Sequence, residues 1–148
     1  CLRATGVYGV LANAPQSKWF AYCQQIKNDE AILDVSAGTE VHGEDLADAV
    51  WRLLTAPRDA LGGRVFNCSD QWVSTRMIAR RLNQLTAKDL SLPDTLNAET
   101  VKGVMVTKRL QQMGWQPGGT KKLIATLSQM LALTEKDQQA PQDLLPEN

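Results

Sequence analysis

Residues 1–9 read CLRATGVYG. Leu2 and Val7 are apolar, and Gly6 and Gly9 stand where a strand can pass into a loop. Two readings compete. In the first, Gly6-x-x-Gly9-x-x-Ala12 follows a short strand, a helix comes next, and AILD (residues 31–34) ends in Asp34. That is the layout of a dinucleotide-binding fold, whose glycines let pyrophosphate approach a helix N-terminus. Against it, Asn13, Ala14 and Pro15 interrupt the place where that helix should already run. The candidate helix begins near Ser17, too far from Gly6 to serve a phosphate. The second reading takes Gly6 and Gly9 as turn or contact positions and needs the rest of the chain.

At 148 residues the chain is about one domain long, and 43% apolar residues are enough for a core. Lys plus Arg and Asp plus Glu number 16 each, so the electrostatic footprint of a nucleic-acid binder is missing. No apolar run approaches the ~18 residues of a membrane span. Neither nucleic acid nor membrane is therefore an expected partner. Cys1, Cys23 and Cys68 are widely spaced, and His42 stands alone as the one histidine. A Cys/His metal site is not expected. Three buried free thiols in a reducing cytoplasm are.

Further along, SKWFAYCQQIK (residues 17–27) predicts a helix capped by Ser17, and AILDVS (31–36) a short strand. EDLADAVWRLLTAP (44–57) carries Leu46, Ala49, Val50, Leu53 and Leu54 at helical spacing, with Asp45 as cap and Pro57 as stop. That face needs a cover, and Trp51 falls off it. LGGRVFNCSD (61–70) predicts turn, strand, turn. STRMIARRLNQLTA (74–87) predicts a helix capped by Ser74 or Thr75, with Ile78, Leu82 and Leu85 on one face. SLPDTLNAET (91–100) reads as a polar connection. TKRLQQMGW (107–115) reads as a short helix capped by Thr107 and stopped by Gly114. TKKLIATLSQMLAL (120–133) reads as an amphipathic helix with Leu123, Ile124, Leu127, Met130 and Leu131 inward. Residues 134–148 are polar and Pro-bearing, and read as a disordered tail.

Four stretches, in order, carry a resemblance. LRATGVYG looks like LRPxNVYG, TEVHGEDLADAVWRLL like xFVHVxDLAxAxxxLL, GGRVFNCSD like GxxYNVxD, and TKRLQQMGWQP like TxKAxxxLGWxP. Over residues 1–133 the chain thus resembles the C-terminal half of the extended short-chain dehydrogenase/reductases, the NAD-dependent epimerase/dehydratase group that acts on nucleotide sugars. The resemblance implies an α/β fold: a few strands of a Rossmann-like sheet plus a mainly helical substrate-binding lobe. It implies NAD or NADP in the full-length protein, with none bound to this segment. It places the glycine loop and the catalytic Tyr-x-x-x-Lys in a missing N-terminal half, so no catalytic residue is expected here. The intact protein would oxidise a sugar carbon, then epimerise, eliminate or re-reduce.

By position the resemblance puts Ala4, Thr5, Gly6 and Val7 beside the nicotinamide, with Ala4 where Pro is usual. Gly6 stands where an Asn often contacts substrate, which leaves the sugar unspecified. Lys18, Trp19 and Thr39 fall in substrate-contacting stretches. His42, on an extended segment ahead of Asp45, is expected to be structural. Leu2–Val7 and Arg64–Asn67 are expected to be sheet neighbours. Val65 and Phe66 are expected to lie uncovered, driving a homodimer. A reductase of a non-sugar substrate and a non-catalytic nucleotide-binding regulator are the alternatives.

Overall fold

Leu2–Tyr8 forms two strands that belong to different sheets. The computed structural model describes residues 1–96 and 104–137. β1 (Leu2–Ala4) pairs in parallel with β4 (Phe66–Cys68), Leu2 opposite Phe66 and Ala4 opposite Cys68. At Thr5 the chain leaves that sheet, the Thr5 N–H donating a last bond to the Cys68 carbonyl at 3.2 Å. β2 (Gly6–Tyr8) then pairs in parallel with β3 (Ala37–His42), and β3 pairs antiparallel with β5 (Gln71–Ser74). The expected neighbours therefore meet at Leu2–Ala4, while Gly6 and Val7 turn to a second sheet.

The helices are α1 (Phe20–Lys27), α2 (Gly43–Thr55), α3 (Arg58–Leu61), α4 (Thr75–Thr86), α5 (Lys108–Gln112) and α6 (Gly119–Asp137). Two apolar clusters result. Tyr8, Phe20, Ile26, Ile78, Leu82, Leu123 and Leu127 fill the space between the β2-β3-β5 sheet and α1, α4 and α6. Val41, Ala49, Phe66, Cys68, Leu110 and Trp115 form the other, between β1-β4 and α2 and α5. Strand alternation lets β3 serve both, because Val41 faces away from its neighbours Glu40 and His42. Each buried Leu, Ile or Phe contributes about 1.5–3 kcal/mol gross, which makes these faces the main source of stability.

Several local expectations are overturned. Ser17 does not cap a helix. Its hydroxyl accepts from the Leu11 N–H, and α1 starts two residues later behind Trp19, whose φ of 72° is left-handed. AILDVS is irregular, and the strand begins only at Ala37. Asp34 there accepts from the Tyr22 and Ser36 hydroxyls, while Thr75 Oγ1 bonds both the N–H and the carbonyl of Ser36. Side-chain bonds thus replace a strand ladder. Asp45 is not the α2 cap: His42 is, its Nδ1 accepting from the Glu44 N–H at 3.2 Å. Phe66 is buried by α2 and α5, whereas Val65 is 37% exposed. Cys23 and Cys68 are buried free thiols, but Cys1 is exposed. β5, rich in strand-forming Trp72 and Val73, is a strand beyond those expected from the sequence.

Other expectations hold. Ser74 caps α4 by accepting from the Met77 N–H at 3.2 Å. Thr107 precedes α5, although its hydroxyl makes no capping bond. Gly114 ends the helical turn at φ 81°. Leu123, Leu127, Met130 and Leu131 are buried. α6 runs past residue 133, with Thr134 buried and its hydroxyl on the Leu131 carbonyl. Residues 138–148, the rest of the expected tail, lie outside the described residues, as do 97–100 of the polar connection. The apolar stripe expected on α2 is covered only in part: Ala49 is buried, but Val50 and Leu54 are exposed, as is Trp51.

Candidate functional site

The two parallel strands β2 and β3 end side by side at Tyr8-Gly9 and His42-Gly43. Beyond them opens a cleft of about 820 Å³, walled by Val7, Leu11, Lys18, His42, Lys122 and Gln129 among others. A smaller recess of about 120 Å³ lies between Lys18, Trp19, Ser36, Gly38, Glu40 and Ser74. Lys18 lines both. It is the residue by which the structure joins the proposed substrate positions.

Within this region Gly6 lies opposite Glu40 in the β2–β3 register. Glu40 is 5% exposed and forms an ion pair with Lys18. The Lys18 ammonium sits 5.4 Å from the centre of the Trp19 ring, and that ring lies 5.2 Å from Tyr8. Gly6, Lys18 and Trp19 are therefore one cluster, assembled around Glu40, for which the sequence alone suggests no role. The local signal is a charged residue two positions after Gly38, while its place opposite Gly6 follows from the pairing of β2 with β3. Thr39 is not in this cluster. It pairs with Trp72, and alternation turns it to the opposite sheet face from Glu40.

The other set of candidates spans the sheet switch. Ala4 ends β1, Thr5 bridges, and Gly6 and Val7 begin β2. Ala4, Gly6 and Val7 are exposed, while the Thr5 hydroxyl is buried with no partner among the described residues. Gly6 lies in regular strand backbone, outside the positive-φ positions. Turn geometry therefore does not account for this glycine.

Burial dominates the electrostatics here. It lowers the His42 imidazole below its ordinary value, and the Lys122 charge adds to the effect. His42 is thus neutral at pH 7, stacked edge-on against Tyr8 at 5.1 Å. Burial, reinforced by Asp70, holds the Tyr8 phenol well above its usual range. Burial also pushes the Cys23 thiol up to about 12 and that of Cys68 to about 11. Neither thiol is a nucleophile at neutral pH. Asp45, 6% exposed, accepts from the Gly118 N–H at 2.8 Å and from Lys122 at 2.6 Å. Its own carbonyl takes the Trp115 indole N–H at 2.8 Å. α2 is thereby tied to α6, whose Lys122 lines the cleft. Among the described residues no cluster of His, Cys, Asp and Glu could hold a metal ion.

Sheet switch, parallel strand pairs and helical lobe define a class by fold: the C-terminal portion of the Rossmann-like epimerase/dehydratase architecture. Among solved structures, UDP-glucose 4-epimerase from Thermotoga maritima with UDP-glucose matches at TM-score 0.65 and 18% identity, over 93% of this chain and 46% of that one. RMD from Pseudomonas aeruginosa complexed with NADPH matches at 0.67 and 19%, over 92% and 47%. The dTDP-glucose 4,6-dehydratase from Bacillus anthracis in complex with NAD matches at 0.65 and 14%, over 93% and 44%. The chain thus spans less than half the length of the structures it matches. No family model matches it, and no curated protein does. No helix among the described residues is long and apolar enough to cross a membrane.

Proposed function

We propose that this chain is the substrate-side portion of an NAD(P)-dependent oxidoreductase acting on a nucleotide sugar, of the epimerase or dehydratase kind. The observation that supports this best is the fold match, which takes in 92–93% of this chain against 44–47% of those enzymes. In that role the chain works with a dinucleotide-binding portion that carries the glycine loop and the catalytic Tyr and Lys. Ala4, Thr5, Gly6 and Val7 line the nicotinamide side. Ala4, Gly6 and Val7 are exposed, which leaves room for a polar ring to lie against them. When bound, the cofactor supplies hydride exchange at the sugar carbon, and these residues orient it. Gly6, Lys18 and Trp19 belong to the substrate side, whereas Thr39, on the opposite face of β3, stands apart from them.

Titration calorimetry of the 148-residue chain with NAD, NADP and UDP-glucose tests this. The expected result is UDP-glucose binding that UDP competes away, with no NAD or NADP binding in the micromolar range. Micromolar NAD binding would restore the glycine-loop reading of residues 6–12. Failure of UDP-glucose and UDP alike would remove the nucleotide-sugar assignment.

A further inference from the structure

Glu40 sits in the middle of β3, 5% exposed, on the sheet face that presents Tyr8 and Val73 to the core. A carboxylate in such a place loses its water and persists only with a strong partner. Its partner is Lys18: Oε1 accepts from Lys18 Nζ, while Oε2 is buried with no partner among the described residues. Two bare positions make the room. A Cβ at Gly6 would lie 2.5 Å from Oε2, and one at Gly38 would lie 3.4 Å from Oε1. Neither glycine has positive φ, so space for the carboxylate, and not backbone freedom, is what each supplies.

Lys18 completes the arrangement. Its side chain is 40% exposed and lines both the cleft and the recess. An ammonium has three donors, and here Glu40 takes one. Trp19 holds the aromatic face beside it from a left-handed backbone at φ 72°, a conformation non-glycine residues adopt only when their surroundings enforce it.

We infer that Glu40 is a positioning residue: its buried carboxylate aims the Lys18 ammonium into the cleft, where the remaining N–H donors bind a phosphate of the ligand. An ion pair that orients a phosphate-binding lysine has precedent in phosphoryl-transfer enzymes. The inference rests on the nucleotide-sugar reading, and adds the group the phosphate meets and the residue that holds it in place.

The test is calorimetric titration of the 148-residue chain with UDP, uridine and inorganic pyrophosphate, for wild type, E40Q, K18M and the double variant. Loss of a charge-assisted bond is expected to weaken UDP about tenfold or more in K18M and in E40Q. Uridine, which lacks phosphate, keeps its affinity within about twofold. The double variant binds UDP no worse than K18M, because Glu40 acts only through Lys18. The double variant also leaves no unpaired buried charge, so it reports even if K18M alone unfolds. Unchanged UDP affinity in E40Q, equal losses for UDP and uridine, or a further fall in the double variant overturns the inference. If pyrophosphate alone binds, in a Lys18- and Glu40-dependent way, the nucleotide reading falls and this one stands. If no probe binds, both fall.

Discussion

At the scale of single residues, His42 combines two duties that its sequence context only half announces. It caps α2 through Nδ1, and its ring packs against Tyr8. Burial keeps it neutral, with a folded pKa below the ordinary 6.5. As pH falls, the unfolded chain therefore takes up this proton first. The stability contribution of His42 is complete above about pH 6.5 and declines as pH drops from there toward the lowered folded value. Asp70, whose carboxyl burial raises above its ordinary 3.8, acts with the opposite sign, and comparing variant with wild type at the same pH cancels it. His42→Ala should cost about 1 kcal/mol at pH 7.5 through the lost cap, and less at pH 5.5. Urea midpoints at the two pH values check this. An equal loss at both would mean that the imidazole does not titrate with folding.

Among elements, the junction of α2 with α6 depends on Asp45. The sequence placed this residue at a helix cap, since Asp near a helix start usually serves there. The tertiary structure gives the capping position to His42 and turns Asp45 inward to the Gly118 N–H and Lys122. Asp45→Ala strands both donors in a largely dry site. It should lower stability by about 2–4 kcal/mol, which is roughly 5–15 °C in Tm. Glu44 pairs with the same Lys122 at 3.1 Å, but its side chain is 76% exposed. Glu44→Ala should therefore change Tm by less than about 3 °C. Differential scanning calorimetry of both variants is the check, and similar losses would show that burial is not what makes Asp45 matter.

For the molecule as a whole, the outer face of α2 is unfinished. Val50, Trp51 and Leu54 are 41%, 66% and 75% exposed, and Val65 lies exposed just ahead of β4. A groove of about 350 Å³ runs through Cys1, Leu2, Val50, Leu54 and Arg64. Among the described residues the β1-β4 sheet has only two strands, so outward edges remain for pairing. The chain should self-associate as its concentration rises, and Trp51→Lys with Leu54→Lys should shift it toward monomer. Light scattering after size-exclusion chromatography decides. A wild-type monomer at every concentration would show that this face needs no partner.

The helices and the fold class were legible because helical periodicity is local. Leu123, Leu127 and Met130 announce a buried stripe whatever they pack against, and Gly114 announces a left-handed stop. The strand at Leu2–Ala4 and its neighbour at Phe66–Cys68 were legible from the order of the motifs. Choices between distant partners were not. The break at Thr5 is decided by which strand receives each half of Leu2–Tyr8, and nothing within those seven residues encodes it. Phe66 is covered because α2 and α5 converge on it. Glu40 is the clearest case. Read alone it is a polar residue in a strand, and only the pairing of β2 with β3 sets it against Gly6 and beneath Lys18. Sequence fixes which face each residue can occupy, because side-chain direction follows from the backbone repeat. Which partner waits on that face depends on contacts between residues far apart along the chain, and so belongs to the tertiary structure.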